Sequence, residues 1–167
     1  QKDRLVNQAL TAPVKSTFTL QFPDEFPAQS PDSALTTEEF VASATRWFET
    51  ALHPRFGVPY TALTYQPMLE LIDLLRLHDF RVFVVTGGGV EFVRAVSEEL
   101  YGVAPEDVVG TAVDLSFERR EGRVVLVRLP RLLGSPNEGW PKALAIQQHI
   151  GRRPIFGAGN SAGDREM

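Results

Sequence analysis

The chain has 167 residues, 43% of them hydrophobic and 23% charged, so it is long enough for one domain and can bury a core. Seventeen basic against 21 acidic residues give a formal charge of −4, which argues against a broad nucleic-acid surface but leaves room for a local phosphate site. There are no cysteines, which removes disulfides, thiolate metal sites and Cys nucleophiles together. Apolar runs such as 82–85 are far too short to cross a bilayer, and no basic leader followed by an apolar stretch opens the chain.

Residues 1–35 are weakly patterned and punctuated by Pro13, Pro23, Pro27 and Pro31. Within them only 14–22 alternates like a strand, with Phe18, Leu20 and Phe22 on one face. Thr36 and Glu39 then form a capping-box pattern ahead of an apolar stripe. Phe40, Ala44, Phe48 and Leu52, with Trp47 beside them, predict a helix over about 37–52.

From Thr64 the texture changes. Pro67 suits the first turn of a helix whose stripe is Met68, Leu71, Ile72 and Leu75. Asp79 marks a turn. Residues 81–86 form a β-branched, nearly continuous apolar run, the pattern of a strand buried on both faces, and Gly87, Gly88 and Gly89 break it. A helix with Phe92, Val93, Val96 and Leu100 inward follows, then a short strand at 108–112. Residues 114–118 and 123–129 flank Glu121-Gly122 and read as a hairpin. Pro141 starts another helix with Leu144, Ile146 and Ile150 apolar, and 154–156 reads as a last short strand. Alternation of strands and helices predicts an α/β fold with a mainly parallel sheet.

Three segments have chemical potential. The 84–89 segment ends a strand in the hydroxyl of Thr86 and then in glycines, whose backbone N–H groups can approach a ligand closely. The next helix aims its positive end at the same spot, so a phosphate oxygen fits there; a tight turn needing positive φ is the plain alternative. Lys142 stands in the first turn of a helix, where the dipole disfavours a cation, so it serves a bound anion or is simply solvated. Finally 156–164 runs a strand into a glycine-rich loop holding Asn160 and Asp164, oxygen donors of the kind Mg²⁺ takes, or else an Asx-rich turn.

In that order, Thr at one strand end, Lys at a later helix start and Gly-Asn-Ser-x-Gly-Asp at another strand end resemble the haloacid dehalogenase superfamily, and within it the phosphoserine-phosphatase-like branch. The resemblance covers about 64–167. It implies a doubly wound, mainly parallel Rossmann-type sheet, with a small helical cap element at the N-terminal side. On that division 1–63 is the N-terminal segment and partial cap, and 64–167 the core. It also implies that Thr86, Gly87 and Gly88 bind the transferring phosphoryl group, that Lys142 neutralises nucleophile and phosphate, and that Asn160 and Asp164 hold Mg²⁺. Asn160 stands where many relatives carry Asp, so it would ligate through an uncharged carbonyl oxygen. The partner implied is a small phosphorylated metabolite, with neither nucleic acid nor membrane.

The family's first motif, an apolar strand ending Asp-x-Asp-x-Thr or Val, supplies the nucleophile that becomes an aspartyl-phosphate and the general acid–base. Of the eight aspartates none fits: Asp24 is followed by Phe26 and Ala28, Asp32 by Ala34 and Thr36, and Asp114 by Ser116 and Glu118. In this fold the missing strand lies between those ending at Thr86 and near Phe156. The first residue is Gln1 rather than Met, and Met167 follows a glycine-rich loop with no closing element, so the reading favours a piece of a longer chain. The alternatives are that 14–22, or another element, fills that slot. The expectation is therefore a Mg²⁺-dependent phosphomonoesterase whose residues 1–167 alone turn over little or no substrate. The alternative is a degenerate module that binds a phosphorylated ligand without hydrolysing it. A dinucleotide-binding domain fits worse, because the third glycine of its fingerprint falls on Phe92. His53, His78 and His149 have no metal spacing, Ser97 and Ser161 lack a nucleophile elbow, and Trp47, Phe48 and Tyr60 read as core or as a cap pocket.

Overall fold

A computed structural model describes residues 35–159 and 162–165. The strand expected over 14–22 and the metal ligand expected at Asn160 lie outside the described residues. The order is α1 (Thr37–Thr50), a 3₁₀ turn at Tyr60–Leu63, α2 (Gln66–Leu77), β1 (Val84–Gly89), α3 (Val90–Tyr101) and a 3₁₀ turn at Pro105–Asp107. Then come β2 (Val108–Thr111), β3 (Val113–Arg120), β4 (Arg123–Leu132), α4 (Trp140–Ile150) and a 3₁₀ turn at Ala162–Asp164. No helix among the described residues is long and apolar enough to cross a membrane.

α1 starts where its cap predicts. The Thr36 hydroxyl accepts from the Glu39 N–H at 3.1 Å, and the Thr36 N–H donates to the Glu39 carboxylate at 2.8 Å. Its stripe of Phe40, Ala44 and Phe48 is buried against Phe92 and Val96 of α3, with Trp47, Tyr60, Ala95 and Leu100 around them. Leu52 departs from expectation. The helix stops at Thr50, and Leu52 pairs instead with Pro59 and is 57% exposed.

The parallel part of the fold is β1 beside β2, Val84 against Val108 and Val85 against Val109. α3 crosses between them and packs Val90 and Val93 on Val103 and Val108. Two expectations about β1 need correction. The strand begins at Val84 rather than at 81, and it is half-buried rather than covered on both faces, because β2 is its only strand neighbour among the described residues. Nor do the glycines break it. They carry the extended backbone on to Gly89, which pairs with Thr111 after a register irregularity. Gly102 (φ +58°) ends α3 in the left-handed conformation that glycine tolerates.

β3 and β4 form an antiparallel hairpin closed by Glu121 and Gly122, both at positive φ, the two-residue turn that matches strand twist. Val127 is buried, and Leu35–Thr36 lies along the free side of β4, with the Arg128 N–H donating to the Leu35 carbonyl at 2.9 Å. The expected strand at 154–156 does not form: Ile155 is 89% exposed, and no strand of the described residues runs beside it. A strand exists only through its neighbour, so an isolated extended run stays irregular. In α4, Ile146 is buried as expected, but Leu144 is 52% exposed. Helices and a small parallel sheet give a mixed α/β fold.

Candidate functional site

The site is built where β1 passes into α3. Thr86, Gly87, Gly88 and Gly89 are all half-buried. The Thr86 hydroxyl oxygen accepts the Gly88 N–H at 3.0 Å, which leaves the hydroxyl proton as the group it can offer. α3 begins directly after Gly89 with no side chain capping it, so the positive end of the helix adjoins this loop. The first-turn carboxylate Glu91 is engaged by Arg128 at 2.6 Å, with both side chains largely buried.

Thr86 and Gly87 are held from behind. The Asn137 side-chain amide donates to the Thr86 carbonyl at 2.8 Å. The Thr111 hydroxyl donates to the Gly87 carbonyl at 2.6 Å and accepts the Asn137 N–H at 2.9 Å. A Cβ on Gly110 would lie 2.9 Å from the Thr86 methyl and 3.0 Å from the Gly88 carbonyl, so β2 backs the loop closely. Glu138 lies against the other side, its Cγ 3.3 Å from where a Cβ on Gly87 would stand.

Lys142 is in the first turn of α4, 7% exposed, and its ammonium donates to the Asp164 carboxylate. Both side chains are buried, at 9% and 11% exposure. A Cβ on Gly159 would overlap the Asp164 side chain, so the glycine is what lets that carboxylate lie against the backbone. The last two sequence segments are thus joined directly through Lys142 and Asp164. Thr86 joins the approach to α4 through Asn137, five residues before Lys142. No sequence motif singles out Asn137 or Thr111. The available signals were an Asn-Glu-Gly dip ahead of the Pro141 helix and a threonine ending β2 as Thr86 ends its own apolar run.

Asp164 is a hard oxygen donor, and Mg²⁺ is characteristically held by one or two carboxylates with waters and phosphate, so the donor chemistry suits that ion. Among the described residues no group of three or more His, Cys, Asp or Glu side chains forms a metal cage. A separate cavity of about 300 Å³ lies between α2 and the far end of α3. Arg76 lines it and donates to the Tyr101 carbonyl at 2.8 Å, which caps the C-terminus of α3.

Comparison with curated proteins finds no match. Comparison with protein families matches residues 28–167, most of the chain, to the haloacid dehalogenase-like hydrolases. With a glycine loop closing the parallel strand β1 and a buried Lys142–Asp164 pair joining two later segments, the chain belongs to the haloacid dehalogenase-like hydrolase family.

Proposed function

We propose that the protein is a Mg²⁺-dependent phosphomonoester hydrolase of the phosphoserine-phosphatase-like branch, acting on a small phosphorylated metabolite. The observation that carries this reading is the contact between Lys142 and Asp164, two buried opposite charges 22 residues apart. Burying a cation at a helix start is costly unless it is paired, and the pair gains a purpose if an anion and a metal are to share it. The Thr86 hydroxyl donates to a phosphoryl oxygen, the Gly87 and Gly88 backbone lets that oxygen approach, and the Lys142 ammonium offsets its charge. Asp164, with Asn160, would hold Mg²⁺, which would add positive charge beside the phosphoryl group. Catalysis would then be mostly positioning and charge stabilisation.

The nucleophile in this reading belongs to an Asp-x-Asp motif outside residues 1–167, on a strand that completes a doubly wound sheet beside β1. None of the eight aspartates here has that pattern. Residues 1–63 would be N-terminal segment and partial cap, and 64–167 the core. Trp47 and Tyr60 stack 4.9 Å apart, and Trp47 lies 5.5 Å from Phe92, three residues past Gly89, which supports a cap beside the phosphate loop. The same lack of an Asp-x-Asp motif favours a second reading, a module that binds phosphate without hydrolysing it.

Phosphate release from a panel of phosphomonoesters, with Mg²⁺ and with chelator, separates the two in the full-length protein. Mg²⁺-dependent release that is lost in Lys142→Met supports the hydrolase. Binding of inorganic phosphate without release supports the module. Absence of both sinks the phosphate reading altogether.

A further inference from the structure

We propose that Asn137 and Thr111 are positioning residues that hold the Thr86–Gly87 and Gly87–Gly88 peptides so that the Gly87 N–H and the Thr86 hydroxyl proton face the anion. The proposal rests on the phosphate reading of this loop. Its physical core is peptide planarity. In a trans peptide the carbonyl and the following N–H point in opposite directions, so whatever fixes one fixes the other. Asn137 holds the Thr86 carbonyl, which sets the Gly87 N–H. Thr111 holds the Gly87 carbonyl, which sets the Gly88 N–H, and that N–H is found on the Thr86 hydroxyl. Two consecutive carbonyls are therefore gripped and the Gly88 N–H is held on the Thr86 hydroxyl oxygen, so the Gly87 N–H and the hydroxyl proton are the groups this proposal assigns to the anion.

The grip matters because the end of β1 is made of glycines. Without a Cβ these residues have several backbone conformations within reach, and a peptide flip would turn a carbonyl oxygen toward an incoming phosphate. The clasp removes that alternative before any ligand arrives, which is the sense in which a site is preorganised. The Thr111 hydroxyl also accepts the Asn137 N–H, so the two gripping groups fix each other.

Simple backbone satisfaction does not account for the whole arrangement. Asn137 is 3% exposed, and its Oδ1 has no hydrogen-bond partner among the described residues. Burying an unpaired acceptor is unfavourable, and an apolar side chain of the same size would avoid it. The amide is kept for its donor, and the donor goes to Thr86.

The experiment is a titration of inorganic phosphate into the protein, followed through the backbone amide resonances of Gly87 and Gly88. Thr111→Val keeps the shape and loses the hydroxyl, and it should weaken phosphate binding about tenfold, the scale of one lost hydrogen bond. Thr111→Ser restores the hydroxyl and should stay within about twofold of the parent protein. Asn137→Leu should weaken binding about as much as Thr111→Val while its melting temperature holds, since it also removes the unpaired acceptor. It carries the same test should Thr111→Val fail to fold. Unchanged phosphate affinity in both Thr111→Val and Asn137→Leu overturns the proposal. If the parent protein shows no phosphate response, the functional reading falls by itself, and amide exchange at Gly88 decides the clasp. Faster exchange in Thr111→Val supports it, and unchanged exchange overturns it.

Discussion

The β1–α3–β2 unit and the β3–β4 hairpin are both short pieces of sheet, and they are held in opposite ways. The first is a parallel pair whose strands meet only because α3 carries the chain back across them and buries Val90, Val93, Val103 and Val108. The second is closed by a two-residue turn and needs no crossover, and it leaves Phe117 64% and Val124 54% exposed. Parallel pairing therefore puts its stability into distant contacts, whereas a hairpin takes its register from its own turn. The candidate site belongs to the first kind of region, where losing one packed side chain is felt at the loop.

The sharpest way to break that contrast is Phe92→Ala. Phe92 is 3% exposed and packs on Phe48 with ring centroids 4.5 Å apart. The substitution should cost about 3–5 kcal/mol, read by chemical denaturation. Lys142→Met should come next, at about 3 kcal/mol, because it breaks a largely buried ion pair by removing one member. A double variant, Lys142→Met with Asp164→Leu, should recover much of that stability without recovering phosphate binding. Were the single variant as stable as the parent, the pair would be playing no part in holding α4.

Arg128 joins the two regions. It sits 3.6 Å from the centre of the Phe40 ring and pairs with Glu91 at 2.6 Å. Arg128→Met should destabilise by about 2 kcal/mol and speed amide exchange in the hairpin more than in β1 and β2. Equal acceleration in both would show that they unfold as one unit. Phe117→Thr, on the open face of the hairpin, should stay within about 0.5 kcal/mol.

The smallest effect expected is one of pH. Arg131, with the Leu115 N–H, holds the Asp114 carboxyl below its usual range. As pH falls, the unfolded chain takes up this proton before the folded one does. The contribution is therefore complete above the ordinary carboxylate pKa and fades as pH drops through the lower folded value. The pair lies at the surface, with Asp114 partly and Arg131 largely exposed, so Arg131→Gln should only slightly flatten the acid limb of the stability curve.

Much of this was legible in the sequence because the responsible interactions are local. The Thr36–Glu39 box, the turn at Asp79 and the Glu121-Gly122 turn each concern residues within a few positions of one another. The stripes of α1 and α3 follow from helical period. The misreadings share the opposite cause. Residues 154–156 have a strand's composition but no neighbouring strand among the described residues, and Leu52 and Leu144 fit a stripe without meeting a core.

By itself the sequence determined which segments become helices and turns, and which residue types stand at the strand end, the helix start and the last loop. Only the tertiary structure decided that Lys142 is spent on Asp164 rather than on solvent, and that Asn137 and Thr111 grip the carbonyls of Thr86 and Gly87. Propensity and periodicity act over one or two turns of chain, whereas these contacts close loops of 22 to 51 residues and exist only once the packed elements bring their ends together.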